Sequence, residues 1–192
     1  NRIRAADDAR ADLILESIKF VKEFEPKAVF FENVPGIATV GPMVELRNKL
    51  AKIGYYLGEP KTLDAADYGV PQRRERCIMV ATQDPKGIEE FYMSIQPRPR
   101  VSVRSAISGL KQLRSGERDP EDPLHFARNH QPIVLKRLHH IPKDGGSRLS
   151  LPPELELLCH KGRKNDFPDV YGRMQWDDVA PTLTTGCTDV TK

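Results

Sequence analysis

An acidic side chain follows directly on a short apolar run in the stretch FFENVPG, residues 30–36. The run AVFF ends at Glu32, and the Pro-Gly pair that follows predicts a turn. Ligands of open α/β sheets bind at the carboxyl ends of the strands, so Glu32 and Asn33 are expected at a crevice. Burial disfavours the charged form of a carboxyl group. A protonated Glu32 could donate a hydrogen bond, or a proton, to a ring nitrogen; a structural cap or ion pair is the alternative.

A second candidate is the segment QRRER, residues 72–76, which follows the turn-forming residues YGVP and precedes the β-type run CIMVAT. In an extended backbone, Gln72, Arg74 and Arg76 share one face. Arginine suits phosphate groups and carbonyl oxygens, so this face could present three donors into a crevice. An exposed strand start in which arginine pairs with glutamate is the alternative.

A third candidate is the hydroxyl-rich segment VAPTLTTGCTD, residues 179–189. Hydroxyl groups and backbone N–H groups of such a turn can bind phosphate. The threonines concerned are Thr182, Thr184, Thr185 and Thr188. Because loops are commonly rich in threonine, this segment is a weak signal when it is taken alone.

The first half of the chain alternates between helical and strand patterns. The predicted elements are a helix over 8–24, a strand at 28–31, a helix over 42–54 and strands at 55–63 and 77–82. Asp7 or Asp8 can cap the first helix, and Pro26 ends it. The order predicts part of an α/β sheet. The apolar strand at 28–31 is expected to be buried on both faces, and the last two strands are consistent with an antiparallel edge.

The second half changes in character after about residue 84. Many of the chain's 16 prolines lie there, among scattered apolar residues and turns. One short helix is predicted in VSVRSAISGL, capped by Ser102 or Ser105. We therefore expect a second, smaller domain of irregular structure.

The amino-acid composition limits the classes of protein to which this chain can belong. Hydrophobic residues make up 39% of the chain and charged residues 30%, as in soluble globular proteins. No stretch approaches the ~18 apolar residues that a membrane span requires. The net charge of +3 is too small to establish nucleic-acid binding by itself.

The cysteines are Cys77, Cys159 and Cys187. A sparse set without a CxxC pair is typical of reduced thiols in a cytoplasmic protein. Cys159 adjoins His160, but a second pair at metal-ligand spacing is missing from the sequence, so a zinc site is not indicated.

The chain combines three motifs in a fixed order: ENV after an apolar strand, QRRER about 40 residues later, and PTLTTG after a Pro-rich segment. In this combination the chain resembles the bacterial DNA (cytosine-5-)-methyltransferases. The stretch that leads into ENV and the stretch DVYGRMQWDDVAPTLTTGC are also similar to that family, so the likeness covers nearly the whole chain. It implies an α/β fold in two parts. Residues 1–90 would be the C-terminal half of a Rossmann-like S-adenosylmethionine-dependent methyltransferase domain, and residues 91–192 a smaller, irregular target-recognition domain.

The resemblance also implies a reaction, methyl transfer from S-adenosyl-L-methionine to carbon 5 of a cytosine flipped out of double-stranded DNA. Glu32 would hydrogen-bond or protonate ring nitrogen 3. Arg76, or Arg74 beside it, would bond the ring carbonyl oxygen, and Asn33 would brace the loop that carries the nucleophile. Gln72 and Arg74 would lie at the DNA-facing edge.

Further roles follow from the resemblance. Leu13 would contact the cofactor, while Thr182, Thr184, Thr185 and Arg173 would contact DNA. The setting would be restriction-modification or related DNA methylation in the bacterial cytoplasm, at the nucleoid, by an enzyme that is monomeric when complete.

The sequence departs from the family in two motifs. It contains no Pro-Cys pair, which holds the family's nucleophile ahead of ENV, and no Gly-rich cofactor loop. The chain is therefore expected to start just after the cysteine loop and to be inactive alone, with a complementary chain as one possible source of the missing motifs.

Three alternatives stay open. One is a methyltransferase that acts on cytosine in tRNA, although the long Pro-rich segment favours DNA, since reading a duplex needs extra surface in its grooves. Another is a non-catalytic DNA-recognition subunit of a split enzyme. The third is an unrelated α/β protein.

Overall fold

The computed structural model describes residues 12–39, 41–162 and 170–183. The chain divides into two compact units. The first comprises the described residues up to Gly69 together with Arg74–Pro99, and the second comprises Val70–Arg73 and the described residues from Arg100 onward. The chain thus leaves the first unit for four residues and returns to it.

Four strands and three helices form the first unit, and two further helices lie in the second. In chain order they are α1 (Leu13–Phe24), β1 (Ala28–Asn33), α2 (Pro42–Lys52), β2 (Tyr56–Leu57), β3 (Lys61–Asp64), β4 (Glu75–Thr82), α3 (Pro85–Ser94), α4 (Val103–Ile107) and α5 (Pro132–His140). Short 3-10 turns occupy Pro35–Thr39, Ala65–Asp67, Arg148–Ser150 and Leu158–His160.

Proline and glycine residues lie at the ends of helices in the first unit, as the sequence predicts. Helix α1 ends where Glu25 takes a left-handed φ of 42° and donates its N–H to the Val21 carbonyl, directly before Pro26. Pro42 opens α2, since its missing N–H is one that a first helical turn leaves unpaired anyway. The predicted caps Asp7 and Asp8 lie outside the described residues.

Strand β4 is the centre of the sheet. Strands β1, β2 and β3 each pair with it in antiparallel orientation. The single strand expected over 55–63 is instead two short strands, β2 and β3. The burial expected on both faces of β1 is also wrong for the described chain, since only Phe31 of that strand is buried.

One face of the sheet carries the core of the first unit. Phe31 stands opposite Met79, and both side chains are buried beneath α1 and α2. Leu46 and Leu50 of α2 complete this layer with no exposed surface. Because side chains alternate along a strand, Phe30 and Glu32 emerge on the opposite face.

Helix α3 packs against that opposite face, although the sequence pattern did not predict it. The Phe91 ring meets the Phe30 ring edge to face at 5.9 Å. The Tyr92 hydroxyl donates to the Glu59 carbonyl at 2.8 Å. Gly58 permits the contact, because a Cβ there would lie only 2.9 Å from the Tyr92 ring.

The second unit has its own small core. Its fully buried centre is Tyr171, which packs with apolar residues of α5 and with Leu151 and Leu155, which follow the 3-10 turn Arg148–Ser150. The predicted short helix is confirmed as α4, where the Ser102 hydroxyl accepts from the Ser105 N–H at 3.2 Å. Helix α5 was not predicted, because the prolines around it mask its apolar spacing. Among the described helices of both units, none has the length and apolar character that a bilayer crossing needs.

Helix α4 is tied to the segment around Trp176 by an ion pair. The Arg104 guanidinium donates to both carboxylate oxygens of Asp177, at 2.7 and 2.9 Å, and lies over the Trp176 ring at 5.6 Å. These hydrogen bonds lower the pKa of Asp177 below its usual value. Both side chains are exposed to solvent, so we expect a small contribution to stability.

The Arg104–Asp177 pair predicts a pH effect on the second unit. The pKa of Asp177 is lower in the folded than in the unfolded state, so the pair stabilises the fold above about pH 4. That contribution is lost as the pH falls through the folded-state pKa. We expect Asp177→Asn to lower the melting temperature slightly at pH 7 and to have a smaller effect at pH 3, measured by fluorescence of Trp176, the only tryptophan.

The control removes a carboxylate that has no ion pair among the described residues. Glu154 is exposed and lies in the same unit. Glu154→Gln should leave the pH dependence of melting unchanged. An equal effect of both variants at both pH values would contradict a specific role of the Arg104–Asp177 pair.

Candidate active site

Glu32 and Arg76 meet on the exposed face of the first unit's sheet. Glu32 of β1 stands opposite Ile78 of β4, and Arg76 lies two residues from Ile78 on the same face. Such a diagonal pair is within reach of long side chains. Nε of Arg76 lies 2.8 Å from Oε1 of Glu32, so the register of two strands brings together two of the predicted site residues.

The surroundings of this pair differ from those predicted. The Glu32 side chain is 50% exposed, whereas the sequence pattern predicted an acid within a crevice. Arg76 is more buried, and its Nη1 also donates to the Glu75 carbonyl at 2.7 Å. The Glu32 carboxylate, a hydrogen-bond acceptor, and the Arg76 guanidinium, a donor, therefore lie side by side at an accessible surface. This arrangement can bind a planar ligand edge that offers an amine or ring N–H to the carboxylate and a carbonyl oxygen to the guanidinium.

Asn33 shapes the turn that follows Glu32. Its side-chain oxygen accepts from the Val34 N–H at 2.8 Å, at the point where β1 gives way to the 3-10 turn Pro35–Thr39. Asparagine commonly bonds nearby backbone in this way, and this stabilises turns. The side chain is half-buried and is therefore held at the end of the strand that carries Glu32.

Hydrogen bonds to the backbone of Arg74 hold this residue in the first unit. They involve Asp64, which the sequence reasoning missed. The Asp64 carboxylate accepts from the Arg74 N–H at 2.8 Å, and it also caps the 3-10 turn by accepting from the Ala66 N–H at 3.2 Å. The Arg74 carbonyl accepts from the Ala65 N–H. An aspartate just before a short helical turn is a capping signal, so the sequence held the clue to Asp64.

The two units divide QRRER between them. Gln72 and Arg73 belong to the second unit, while Arg74, Glu75 and Arg76 belong to the first. Side-chain exposure nevertheless alternates along the motif, with Gln72, Arg74 and Arg76 half-buried and the intervening residues exposed. That alternation matches the period of two expected for an extended backbone.

Within the second unit, the start of the threonine segment pairs with Gln72 and Arg73. The Arg73 N–H donates to the Ala180 carbonyl at 2.7 Å, and Gln72 forms a parallel bridge with Ala180. The Thr182 hydroxyl donates to the Arg73 carbonyl at 2.7 Å. Two motifs that lie about a hundred residues apart are therefore one backbone structure. Thr184, Thr185 and Thr188 lie outside the described residues.

The remaining predicted contacts lie elsewhere. Leu13 is an exposed side chain at the start of α1. Arg173 makes internal contacts, since its Nη2 donates to the Leu138 carbonyl at 3.3 Å near the end of α5, and its N–H donates to the Gly146 carbonyl. These contacts fix the second unit's loops around α5.

The cysteines of the described chain do not offer a nucleophile beside Glu32. Cys77 has no exposed surface and lies in the core beneath α1 and α2, where burial raises the pKa of its thiol. A neutral thiol is a poor nucleophile. Cys159 is exposed in the second unit, and Cys187 lies outside the described residues.

Comparison with known proteins places the ENV and QRRER motifs in one family. The family model for C-5 cytosine-specific DNA methylase matches residues 3–144. The type II methylase M.HgiDII of Herpetosiphon aurantiacus is 33% identical over 181 residues, 91% of this chain and 50% of that protein. The type II methyltransferase M1.BsuMI of Bacillus subtilis is 33% identical over 185 residues, 93% of this chain and 40% of that protein.

A solved structure supports the fold. A crystal structure described as a prophage-encoded DNA modification methyltransferase of E. coli aligns with a TM-score of 0.57, covering 92% of this chain and 58% of that one, at 20% identity. The chain spans about half the length of the curated relatives described above. The family match extends over most of the chain and includes the Glu32 and Arg76 motifs, so the chain belongs to the C-5 cytosine-specific DNA methylase family.

Proposed function

We propose that this chain is part of a DNA cytosine-5 methyltransferase, which transfers a methyl group from S-adenosyl-L-methionine to carbon 5 of a flipped-out cytosine in a specific DNA sequence. The observation that carries the proposal is the Glu32–Arg76 pair, 2.8 Å apart on an accessible sheet face. Restriction-modification is the setting that the type II relatives suggest. The cellular site would be the bacterial cytoplasm, at the nucleoid.

The pair is suited to activating a cytosine ring for attack at carbon 6. Glu32 accepts from the exocyclic amine and hydrogen-bonds or protonates ring nitrogen 3, while Arg76 donates to the carbonyl oxygen at carbon 2. Both contacts stabilise charge that develops in the ring as a nucleophile adds. Donors and acceptors that are already fixed in position cost little reorganisation when the reaction occurs. Asn33 holds the turn beside Glu32 and would brace the loop that carries the nucleophile.

The second unit is proposed to recognise double-stranded DNA. Support comes from the start of the threonine segment, where Ala180 forms a bridge with Gln72 and the Thr182 hydroxyl donates to the Arg73 carbonyl. Proposed contacts to DNA are Gln72, Arg74, Thr182, Thr184, Thr185 and Arg173. The limits proposed for the functional domains are 1–90 for catalysis and 91–192 for target recognition.

The groove between the first two helices does not fit the methyl donor. This groove, of about 410 Å³, has an apolar floor and an excess of positive charge, since Glu16, which pairs with Lys19, is its one acidic lining residue beside four lysines. Its positive charge opposes binding of a sulfonium cation. Leu13 could supply one apolar contact to S-adenosyl-L-methionine, and the rest of that site would come from residues beyond these 192.

The nucleophile is also proposed to come from outside this sequence, since no Pro-Cys pair occurs in it. It could stand on the same polypeptide or on a complementary chain. We expect the 192-residue chain to transfer no methyl group from labelled S-adenosyl-L-methionine to duplex DNA, as measured by retention of label on the DNA. Transfer by the chain alone would contradict this assignment of the nucleophile.

The test of the proposed substrate uses the enzyme completed with its cysteine-bearing part. Duplex DNA and tRNA are offered in separate reactions, and we expect label on cytosine in the DNA. Methylation of tRNA without methylation of DNA would overturn the proposal. An enzyme that methylates neither, while this chain binds DNA, would favour a non-catalytic recognition subunit.

A further inference from the structure

Arg76 lies where, among the described residues, β4 is paired on one side only. On the β1 side the pairing stops at Cys77. On the β3 side it continues through Arg76, which stands opposite Leu63, to Glu75, which stands opposite Asp64. The backbone at Arg76 is therefore positioned by β3 rather than by β1.

The Asp64 side chain connects the end of β3 to the residue before β4. Its Oδ1 accepts from the Arg74 N–H at 2.8 Å, which adds a hydrogen bond beyond the last pair of the two strands. The same oxygen accepts from the Ala66 N–H at 3.2 Å, and the Ala65 N–H donates to the Arg74 carbonyl at 3.1 Å. Both backbone groups of Arg74 are thus bonded to the turn that begins at Asp64. Ala66 in this turn has no exposed surface, so the turn itself is anchored in the first unit.

We propose that Asp64 is a positioning residue, which holds the start of β4 so that the Arg76 guanidinium meets the Glu32 carboxylate. Arg76 follows Arg74 by two positions, and its Nε lies 2.8 Å from Oε1 of Glu32. Without the Asp64 carboxylate the Arg74 N–H loses its partner, and the start of β4 is free to fray as strand ends commonly do. The consequence for methyl transfer rests on the proposed function, whereas the placement of Arg76 does not.

The first test measures the Nε–H signal of Arg76 by NMR spectroscopy of the 192-residue chain. An N–H that is bonded to a carboxylate is protected from exchange with water, and Arg76→Lys identifies the signal by removing it. We expect Asp64→Ala to abolish this protection and to move the signal to the position of a free arginine. Asp64→Asn keeps an acceptor oxygen and should preserve the signal. A protected signal that Asp64→Ala leaves unchanged would overturn the inference.

A second variant, Ala65→Pro, removes the other hydrogen bond to Arg74. It deletes the N–H that donates to the Arg74 carbonyl, while proline suits the first position of a short helical turn. The extended backbone of Asp64 also tolerates a following proline. We expect the protection of the Arg76 signal to fall, though less than in Asp64→Ala. This variant keeps the inference open to refutation should Asp64→Ala fail to fold, since full protection in Ala65→Pro would contradict it.

The next test measures single-turnover methyl transfer by the completed enzyme. Asp64→Ala should lower it about 10- to 100-fold, because a small displacement of a group at the reacting centre has effects of that size. Asp64→Asn should restore most of the loss. In an Arg76→Ala background, Asp64→Ala should have little further effect, since residues that act through one another are not additive. An equally large loss in that background would show that Asp64 does not act through Arg76.

The matched control is Asp84, which caps α3 as Asp64 caps its turn. The Asp84 carboxylate accepts from the Lys86 N–H at 3.0 Å and lies in the same unit. Asp84→Ala should lower the melting temperature, as loss of a cap does, and should leave both the Arg76 signal and methyl transfer unchanged. Equal loss of transfer in Asp84→Ala and Asp64→Ala would mark a general loss of stability and would rule out positioning.

The two measurements separate this inference from the proposed function. An Arg76 signal that depends on Asp64, in an enzyme that methylates no DNA, would support the placement of Arg76 and count against the proposed function. Methylation of DNA with a signal and a rate that do not depend on Asp64 would leave the proposed function standing and refute the role of Asp64.

Discussion

Replacing Glu32 with glutamine should lower methyl transfer by the completed enzyme about 10²- to 10³-fold, with little change in DNA affinity. Glutamine keeps the size of the side chain and can still accept from Arg76. It cannot deliver a proton to ring nitrogen 3, so it loses stabilisation that matters mainly as charge develops in the ring. The measurement compares single-turnover transfer of labelled methyl groups with DNA binding at the same salt concentration.

The chain contains a matched control for this substitution. Glu59 also pairs with an arginine in the first unit, since its carboxylate lies 2.9 Å from Arg47. Glu59→Gln removes the same charge from a comparable Glu–Arg pair that lies outside the proposed site. We expect it to leave both transfer and binding within about twofold of the unchanged enzyme, as for surface pairs generally. Parallel loss of transfer and DNA affinity in Glu32→Gln would contradict a role for Glu32 in the chemical step.

Replacing Leu46 with alanine should lower the free energy of unfolding of the first unit by about 2–5 kcal/mol. Leu46 has no exposed surface, and it lies in the layer where α2 covers the sheet. Removing its branched end forfeits the burial of those carbon atoms and leaves a cavity that the packed helix fills only in part. Urea denaturation followed by far-UV circular dichroism measures the change.

Val44 provides the control on the same helix. Its side chain is 68% exposed, so Val44→Ala removes little buried surface and should change the free energy of unfolding by less than about 0.5 kcal/mol. Similar losses from both variants would show that α2 is sensitive to any truncation rather than to loss of the core contact. Similar losses would also contradict the assignment of Leu46 to the core.

Local signals in the sequence were sufficient to predict several helices and strands and to identify the candidate site residues. Proline and glycine mark the limits of α1 and α2 because they act on the backbone wherever they occur. Ser102 predicted α4 for the same local reason, as its hydroxyl caps the helix within three residues. The motifs ENV and QRRER identified the family, and the family comparison confirmed it. The roles of Glu32 and Arg76 stay predictions until the substitutions are measured.

Other features depended on contacts between distant parts of the chain. Helix α5 was missed because the prolines around it mask its apolar spacing, and α3 was missed although Asp84 and Pro85 mark its start. The burial of β1 was predicted wrongly, since a run of apolar residues does not reveal which of its faces a helix covers. Phe30 and Phe31 are the same residue type, yet only Phe31 points toward α1 and α2.

The sequence by itself determined the chemical groups of this protein and the family to which they belong. Only the tertiary structure decided how those groups meet. Glu32 pairs with Arg76 because β1 and β4 are antiparallel in one particular register, and a slip of one residue would place the two side chains on opposite faces. In the second unit, Thr182 bonds the Arg73 carbonyl across about a hundred residues of chain. Register and long-range pairing are set by the packing of many side chains at once, and a single stretch of sequence does not contain that information.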